Sequence, residues 1–177
     1  MVAMLHDVGK VAISDVILKK PGRFDKTERT IMEMHTVYGA RLFLDRQSEF
    51  DDIASEVALT HHEWWDGSDR GYPGHMDIHE EDPEKLAEQV RKNPRKGEEI
   101  PLFGRIVAVC DVFDALLSKR IYKSAWTLTD AAKIIISEKG KQFNPDLVDK
   151  FEQLLPHFIE IAKSYNDNTE QHFDFSE

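Results

Sequence analysis

The sequence predicts an all-α fold, and three observations support this prediction. First, apolar residues recur at intervals of three and four along most of the chain, as they do on the buried face of a helix. Second, residues that typically start and stop helices flank these apolar segments. Third, the sequence has no alternating β-branched runs joined by hairpin turns. We therefore expect a compact multi-helix bundle.

The N-terminal part is predicted to hold three helical segments. Residues 2–12 are expected to form the end of a helix that closes near Gly9. Ser14 can cap a short turn after it. Asp25, with Glu28 three residues later, has the pattern of a capping box and is expected to start the third segment.

Capping and breaking residues mark the remaining helices. The predicted boundaries are a start at Asp51 or Asp52 with an end at His61–His62, a short polar helix at about 83–92, an apolar helix at 102–118 behind Pro101, a start at Thr127 or Thr129 with a stop at Gly140, and a start at Asn144–Pro145 that Pro156 breaks. A last helix is expected to end by about Tyr165. Residues 1–165 are thus predicted to form one domain and residues 166–177 a polar tail.

Composition excludes several classes of protein. The chain has 177 residues, 41% of them hydrophobic, and a formal net charge of −10. This excludes a disordered or fibrous chain, and no apolar run is long enough to span a bilayer. The acidic balance argues against binding of long nucleic acid, although a metal or a local cationic site can still hold a small anion.

The single cysteine, Cys110, cannot form an intrachain disulfide. It lies in an apolar stretch, so we expect it to be buried and unreactive. A chain with one cysteine and no signal peptide at its start fits the reducing cytoplasm.

Histidines and aspartates at predicted helix ends are the candidates for chemistry. A carboxylate inside an apolar helix, such as Asp111, is unfavourable unless it is paired or binds a metal. Each residue also has an ordinary explanation as a capping group, and Asp111 could pair with Arg105 or Lys10. His75 and His79 are expected to be exposed to solvent, and His157 and His172 to be packing or capping residues. The candidates are His6, Asp7, His35, His61, His62 and Asp111.

Together these residues suit metal-assisted hydrolysis. A mixed set of imidazoles and carboxylates favours Fe, Mn or Zn. Two such metals close together can clamp a phosphodiester and activate water at neutral pH. Lys10 follows Asp7 by three residues, so both side chains share one side if the helix persists. Lys10 could then stabilise a phosphoryl oxygen, or it could be a solvated surface lysine.

The order of these motifs resembles the HD-GYP family, a subset of the HD-domain metal-dependent phosphohydrolases. The resemblance covers roughly residues 1–155 and includes the Gly-Tyr-Pro triplet. It implies an HD-domain bundle with two divalent metal ions, Fe or Mn before Zn or Ni. It also implies hydrolysis of the bacterial second messenger cyclic di-GMP to pGpG or GMP. The matching segments are His6-Asp7 with Gly9-Lys10, His35, His61-His62-Glu63, Asp66-Gly67, Gly71-Tyr72-Pro73 and Asp111.

The resemblance also assigns roles to individual residues. Lys10 would assist at the phosphate, and Asp7 would act in both metal binding and catalysis. Arg120, Lys123 and Tyr72 would contact the substrate, and the loop around Tyr72 could also recognise GGDEF-type or other signalling proteins. A homodimer is a further possibility. The implied metal ligands are His6, Asp7, His35, His61, His62 and Asp111.

The sequence departs from the family pattern at several points. Family members carry further metal ligands on a helix before the His-Asp pair, which is His6-Asp7 here and is called the HD pair below. This chain is therefore expected to lack its N-terminal helices. Asp69-Arg70 lengthens the loop before Gly-Tyr-Pro, and Ile121 replaces a proline. About 20 residues, roughly 74–96, are inserted after the triplet. We expect this insert to be a partner-binding element or a surface excursion, more than a lid.

Two other functions are compatible with these departures. One is a non-catalytic signalling module that binds a cyclic dinucleotide or a partner protein. The other is an HD phosphohydrolase that acts on another nucleotide.

Overall fold

The computed structural model describes residues 2–45, 47–117 and 127–170. Within these ranges the chain forms helices and no β-strand apart from one isolated bridge, which confirms the all-α fold class. The 3-10 helices are Val2–Leu5, Val8–Ala12 and Gly97–Glu99, and the α-helices are α1 (Asp15–Leu18), α2 (Lys26–Glu33), α3 (His35–Arg41), α4 (Glu49–Thr60), α5 (Pro83–Gln89), α6 (Leu102–Leu117), α7 (Leu128–Ser137) and α8 (Pro145–Glu170).

Several predicted helix caps are confirmed. The Asp25 carboxylate accepts a hydrogen bond from the Glu28 backbone N–H, and the Glu28 side chain accepts one from the Asp25 N–H. Thr127 caps α7. The Asn144 side chain accepts hydrogen bonds from the first N–H groups of α8. Because the first turn of a helix leaves its N–H groups unpaired, local residues alone can decide these starts.

Other predictions about the helices are wrong. The prediction that Asp51 or Asp52 opens α4 fails because the Ser48 hydroxyl accepts from the Asp51 N–H and starts the helix earlier. Residues 2–12 form two 3-10 helices rather than one helix end. Pro156 lies inside α8, which continues to Glu170, beyond the expected end.

Aromatic packing gives the reason for the continuous α8. Phe151 and Phe158, on either side of Pro156, stack on each other with ring centroids 5.5 Å apart. Both rings also contact Phe113 of α6. Proline has no backbone N–H and therefore removes one hydrogen bond from the helix. The aromatic contacts on both sides of Pro156 hold the helix together despite this loss.

The core has two parts. One lies between α6, α7 and α8 and includes Phe113, Ile135 and Phe143. The other joins the α2–α3–α4 region to the insert, because Leu86 of α5 packs in one cluster with Met34 and other apolar residues.

This second cluster corrects the expectation that the insert is a surface excursion. The side chain of Leu86 is almost fully buried, with 1% exposure. Arg41 of α3 donates hydrogen bonds to the backbone oxygens of Ile78, at 2.8 Å, and Glu80. The insert is therefore an integral layer of the fold.

Gly9 allows the second 3-10 helix to lie directly against α3. A Cβ atom at this position would come within 1.9 Å of the His35 carbonyl oxygen and 2.3 Å of the Gly39 N. Both distances are far below any real contact, so a side chain at position 9 would push the HD pair away from His35.

Cys110 is exposed, which contradicts the expectation of a buried thiol. It lies on the side of α6 that faces an apolar groove towards Leu147 and Leu154 of α8. Ile106 and Val109 line the same groove, so the apolar stretch around Cys110 lies partly at the surface. Among the described residues, no helix is both long and apolar enough to cross a membrane.

Candidate metal centre

Four separate parts of the fold bring the predicted ligands together. His6 and Asp7 lie between the first two 3-10 helices, and His35 is the first residue of α3. His61 is the residue that follows α4, and His62 comes directly after it. Asp111 lies in the middle of α6. A turn, two helix ends and the middle of a helix thus converge on one place from distant parts of the sequence.

One oxygen of Asp7 faces two histidines, and a third histidine belongs to the same cluster of ligand atoms. Asp7 Oδ1 lies 3.3 Å from His35 Nε2 and 3.9 Å from His61 Nε2. One ligand atom from each of Asp7, His35, His61 and His62 falls within 4.8 Å of all the others. This spacing allows the four side chains to hold a single metal ion.

The other oxygen of Asp7 faces a second group. Asp7 Oδ2 lies 3.4 Å from His6 Nε2, and the same His6 nitrogen lies 3.5 Å from Asp111 Oδ1. Lys10 Nζ donates to Asp7 Oδ2 at 2.5 Å. The Asp7 carboxylate therefore lies between two sets of donors, as a carboxylate that bridges two metal ions would.

The donor atoms are free to bind a cation. Asp7 Oδ1, His35 Nε2 and His61 Nε2 are buried and have no hydrogen-bond partner among the described residues. Buried polar atoms are normally paired, so three unpaired atoms close to one another fit a metal ion.

Backbone carbonyls set the orientation of two of these rings. His35 Nδ1 lies 2.7 Å from the Met32 oxygen, and His61 Nδ1 lies 3.0 Å from the Val57 oxygen. Donation from Nδ1–H leaves the lone pair on Nε2, which is the atom that faces Asp7. Histidines that bind a metal through one ring nitrogen typically donate a hydrogen bond from the other ring nitrogen.

Burial keeps the inner histidines neutral. It lowers the pKa of His61 to about 4, aided by the neighbouring His35 and His6, and it lowers the pKa of His35 and His62 as well. Neutral imidazole is the form that binds metals, so these pKa shifts suit a ligand role.

The outer pair has the opposite electrostatics. Hydrogen bonds to Asp111 and then Asp7 raise the pKa of His6 to about 10. Burial would raise the pKa of Asp7, but His6 and Lys10 outweigh it and hold that pKa well below its usual range. Without a metal, a proton on His6 and the Lys10 ammonium balance the two carboxylates.

Tyr72 borders this centre. Its ring stacks on His62 with centroids 4.6 Å apart and lies 6.3 Å from the His35 ring. The peptide between Tyr72 and Pro73 is cis.

Sequence reasoning missed two buried acids beside the centre. The side chain of Glu63 accepts from the Gly74 N–H at 2.7 Å, and burial raises its pKa to about 7. Its place directly after the histidine pair was the available signal. Glu33 forms an ion pair with Arg91, and no sequence signal links residues 58 positions apart.

The other candidates have different outcomes. Asp111 pairs with His6, whereas Lys10 contacts Asp7 and Arg105 lies over the Trp65 ring. His75 and His79 are exposed, as predicted. The predicted substrate residues Arg120 and Lys123, and also His172, lie outside the described residues.

Comparison with known proteins identifies similar sequences. A model of the HD domain family matches residues 1–116, and a second HD domain model matches residues 92–147. The chain is 40% identical over 163 residues to a 3'3'-cGAMP-specific phosphodiesterase of Vibrio cholerae. The aligned region covers 92% of this chain and 27% of that protein.

Two further relatives have a related description. The chain is 42% identical over 149 residues to a cyclic di-GMP phosphodiesterase response regulator of Xanthomonas campestris, covering 84% of this chain and 34% of that protein. It is 38% identical over 170 residues to a cyclic di-GMP phosphodiesterase of Thermotoga maritima, covering 96% and 40%. The chain thus spans between about a quarter and two fifths of these relatives.

Proposed function

Because this chain belongs to the HD domain family, we propose that it is a metal-dependent phosphodiesterase domain that hydrolyses cyclic di-GMP to pGpG or GMP. One observation carries the proposal: the Asp7 carboxylate lies between two groups of imidazole and carboxylate donors, and its Oδ1 is buried without a hydrogen-bond partner. A carboxylate in this position could serve both ions of a two-metal hydrolytic site. The names of the similar proteins support the substrate class.

The two donor groups suggest how the ligands divide. Asp7, His35, His61 and His62 would hold one ion, and Asp7, His6 and Asp111 would hold the other. A mixed set of imidazoles and a carboxylate suits Fe, Mn or Zn over Ca²⁺. The family pattern favours Fe or Mn, with Zn or Ni as alternatives. Divalent ions at such a site supply Lewis-acid activation of a phosphodiester and of water.

Lys10 is proposed as the residue that stabilises charge on the substrate phosphate. Its side chain is 38% exposed beside Asp7, so its ammonium can reach an anion outside the cluster. Metal at Asp7 would weaken the present contact between Asp7 and Lys10, which would free the ammonium for the phosphate.

Three further residues are proposed to bind the dinucleotide. Tyr72 borders the centre through its contacts with His62 and His35. Arg120 and Lys123 retain the role that the family pattern suggests, because two cations would match a ligand with two phosphates.

The test uses the purified chain after anaerobic loading with Fe²⁺ or Mn²⁺. We expect about two metal ions per chain by elemental analysis and the appearance of pGpG or GMP from cyclic di-GMP. Asp7→Asn should lose both metal and product. Glu160→Gln, at an exposed position on α8, is the control and should retain both. Product formation that is unchanged in Asp7→Asn would contradict the proposed site.

A second candidate substrate is 3'3'-cGAMP, since one similar protein is named as specific for it. The two substrates share the cyclic phosphodiester ring and differ in one base. Competition between equal concentrations of both, followed by chromatography of the products, would rank them.

We also propose a compartment and domain bounds for this protein. A single cysteine suits a cytoplasmic protein. Residues 1–165 would form the catalytic domain and residues 166–177 a tail. GGDEF-type partners and a homodimer follow from the family pattern. A partner that recognised Gly71-Tyr72-Pro73 would also meet the insert, because Arg91 contacts both Tyr72 and Pro73.

A further inference from the structure

The insert supplies one residue, Arg91, that contacts the surroundings of the metal centre from several directions. Its Nε and Nη2 donate to the two oxygens of Glu33, at 2.9 Å and 2.7 Å. Its Nη1 donates to the Asp69 carbonyl, and its backbone N–H donates to the Pro73 carbonyl at 2.8 Å. Its guanidinium carbon lies 5.2 Å from the centre of the Tyr72 ring.

These contacts reach the chain segments that carry two proposed metal ligands, His35 and His62. Tyr72 stacks on His62, with an angle of 28° between the ring planes. Glu33 ends α2, two residues before His35 begins α3. Asp69 and Pro73 belong to the loop that follows the histidine pair. Arg91 therefore links the two chain segments that present His35 and His62.

The setting of Arg91 indicates a specific role. Arg91 has a backbone φ of 64°, in the left-handed region that residues other than glycine rarely adopt. Such a conformation persists only where the surroundings enforce it, and it is common near functional sites. The Glu33 side chain is only 5% exposed and that of Arg91 is 28% exposed, so the carboxylate is shielded from water and the guanidinium partly so. A planar guanidinium meets a carboxylate through two parallel hydrogen bonds, which fixes direction as well as distance.

We propose that Arg91 is a positioning residue for the metal centre, through its contacts with Tyr72 and Glu33. The insert thereby becomes part of the metal site, although it contributes no ligand to it. This inference rests on the proposed metal centre and deepens it. Loss of a group that contacts a metal ligand directly typically weakens metal binding by about 10- to 100-fold. Because Arg91 acts through Tyr72 and Glu33, we expect an effect at the lower end of this range.

The experiment measures binding of Co²⁺ to the metal-free chain by visible absorption, without substrate. Co²⁺ reports both affinity and the geometry of its ligands. Arg91→Lys keeps the charge but cannot make the two-pronged contact. We expect it to weaken Co²⁺ binding by about tenfold or more and to change the absorption spectrum.

Arg41→Lys is the matched control. Arg41 also ties the insert to the domain, through the carbonyls of Ile78 and Glu80, but it has no described contact with Tyr72 or Glu33. It should therefore leave Co²⁺ affinity and spectrum close to those of the parent. An equal loss in Arg41→Lys would show that the insert supports only the fold, and parent-like binding in Arg91→Lys would show that Arg91 has no role. Either result overturns the inference.

A second pair of variants covers the case in which Arg91→Lys does not fold. Tyr72→Phe keeps the ring between Arg91 and His62, and Tyr72→Leu removes it. We expect parent-like Co²⁺ binding from the first and weakened binding from the second, and equal binding by both would overturn the inference. A parent chain that binds no Co²⁺ would overturn this inference and the proposed metal centre together. Co²⁺ binding without phosphodiesterase activity would count against the proposed function alone.

Discussion

At the scale of single residues, Lys10 provides a test that separates catalysis from metal binding. It contacts Asp7 but offers no ligand atom to the cluster of histidines. We expect Lys10→Gln to lower kcat for cyclic di-GMP by about 100-fold, since loss of one charge-stabilising donor has effects of that order. The measurement is steady-state kinetics together with a metal count.

The metal content distinguishes two interpretations of this result. A Lys10→Gln chain that retains the metal content of the parent but turns over slowly supports a role at the phosphate. An unchanged kcat would show that Lys10 is a surface lysine with a chance contact to Asp7. Lys19→Gln, at an exposed position on the same part of the chain, should behave like the parent.

Cys110 gives a second prediction at this scale. Because the thiol is exposed, it should react with a thiol reagent in the native chain. The residue is exposed, but the apolar groove beside it partly desolvates the thiol. This desolvation and the charge of Asp111 raise the pKa of Cys110, so the reaction should be slow at neutral pH and faster as the pH rises. Absorbance of the released reagent group measures the rate, and Cys110→Ser is the blank. A reaction that begins only after denaturant is added would contradict the exposed position.

At the scale of elements, the insert helix α5 is predicted to stabilise the fold. Leu86 is buried against Met34, Val37 and Leu59. Leu86→Ala should lower the free energy of unfolding by about 2–5 kcal/mol, as other large-to-small changes in a core do. Urea titration followed by circular dichroism measures it. Leu154→Ala, at a side chain that is 47% exposed, should lose much less. Similar losses in both variants would mean that the insert is not part of the core.

At the scale of the whole molecule, the buried histidines predict how stability depends on pH. The pKa of His61 in the folded chain is about 4, against an ordinary value of 6.5, and those of His35 and His62 are also lowered by burial. Below pH 6.5 the unfolded chain binds protons that the folded chain refuses. The free energy of unfolding of the metal-free chain should therefore fall as the pH drops from 6.5 to 4, by roughly 3 kcal/mol for His61 alone.

Two other groups define the limits of this prediction. Burial raises the pKa of Glu63 to about 7, so Glu63 adds stability as the pH falls from 7 towards 4.5 and partly offsets the histidines. In the Glu63→Gln chain the free energy of unfolding should then fall more steeply between pH 6.5 and 4.5.

His6 acts at higher pH. Asp111 and Asp7 raise its pKa to about 10, so the stability that His6 contributes is complete below pH 6.5 and disappears between pH 6.5 and 10. Urea titrations at a series of pH values measure both slopes. A stability that stays constant from pH 6.5 to 4 would contradict the pKa shifts.

Local sequence signals were sufficient for much of the fold. The capping box of Asp25 and Glu28, the Thr127 cap and the helical spacing of apolar residues each depend on residues a few positions apart, and all three predictions are confirmed. The family resemblance, which depends on the order of short motifs, is confirmed in the same way.

The sequence by itself therefore determined the fold class, the family and the residue types of the candidate site, because these depend on short-range spacing and on motif order. Only the tertiary structure decided that the two oxygens of Asp7 face two donor groups, that Cys110 is exposed and that α8 continues through Pro156. It also decided that Arg91 pairs with Glu33 across 58 positions. The physical reason is that burial, ring stacking and ion pairing depend on which distant segments pack together, and that packing leaves no local pattern in the chain.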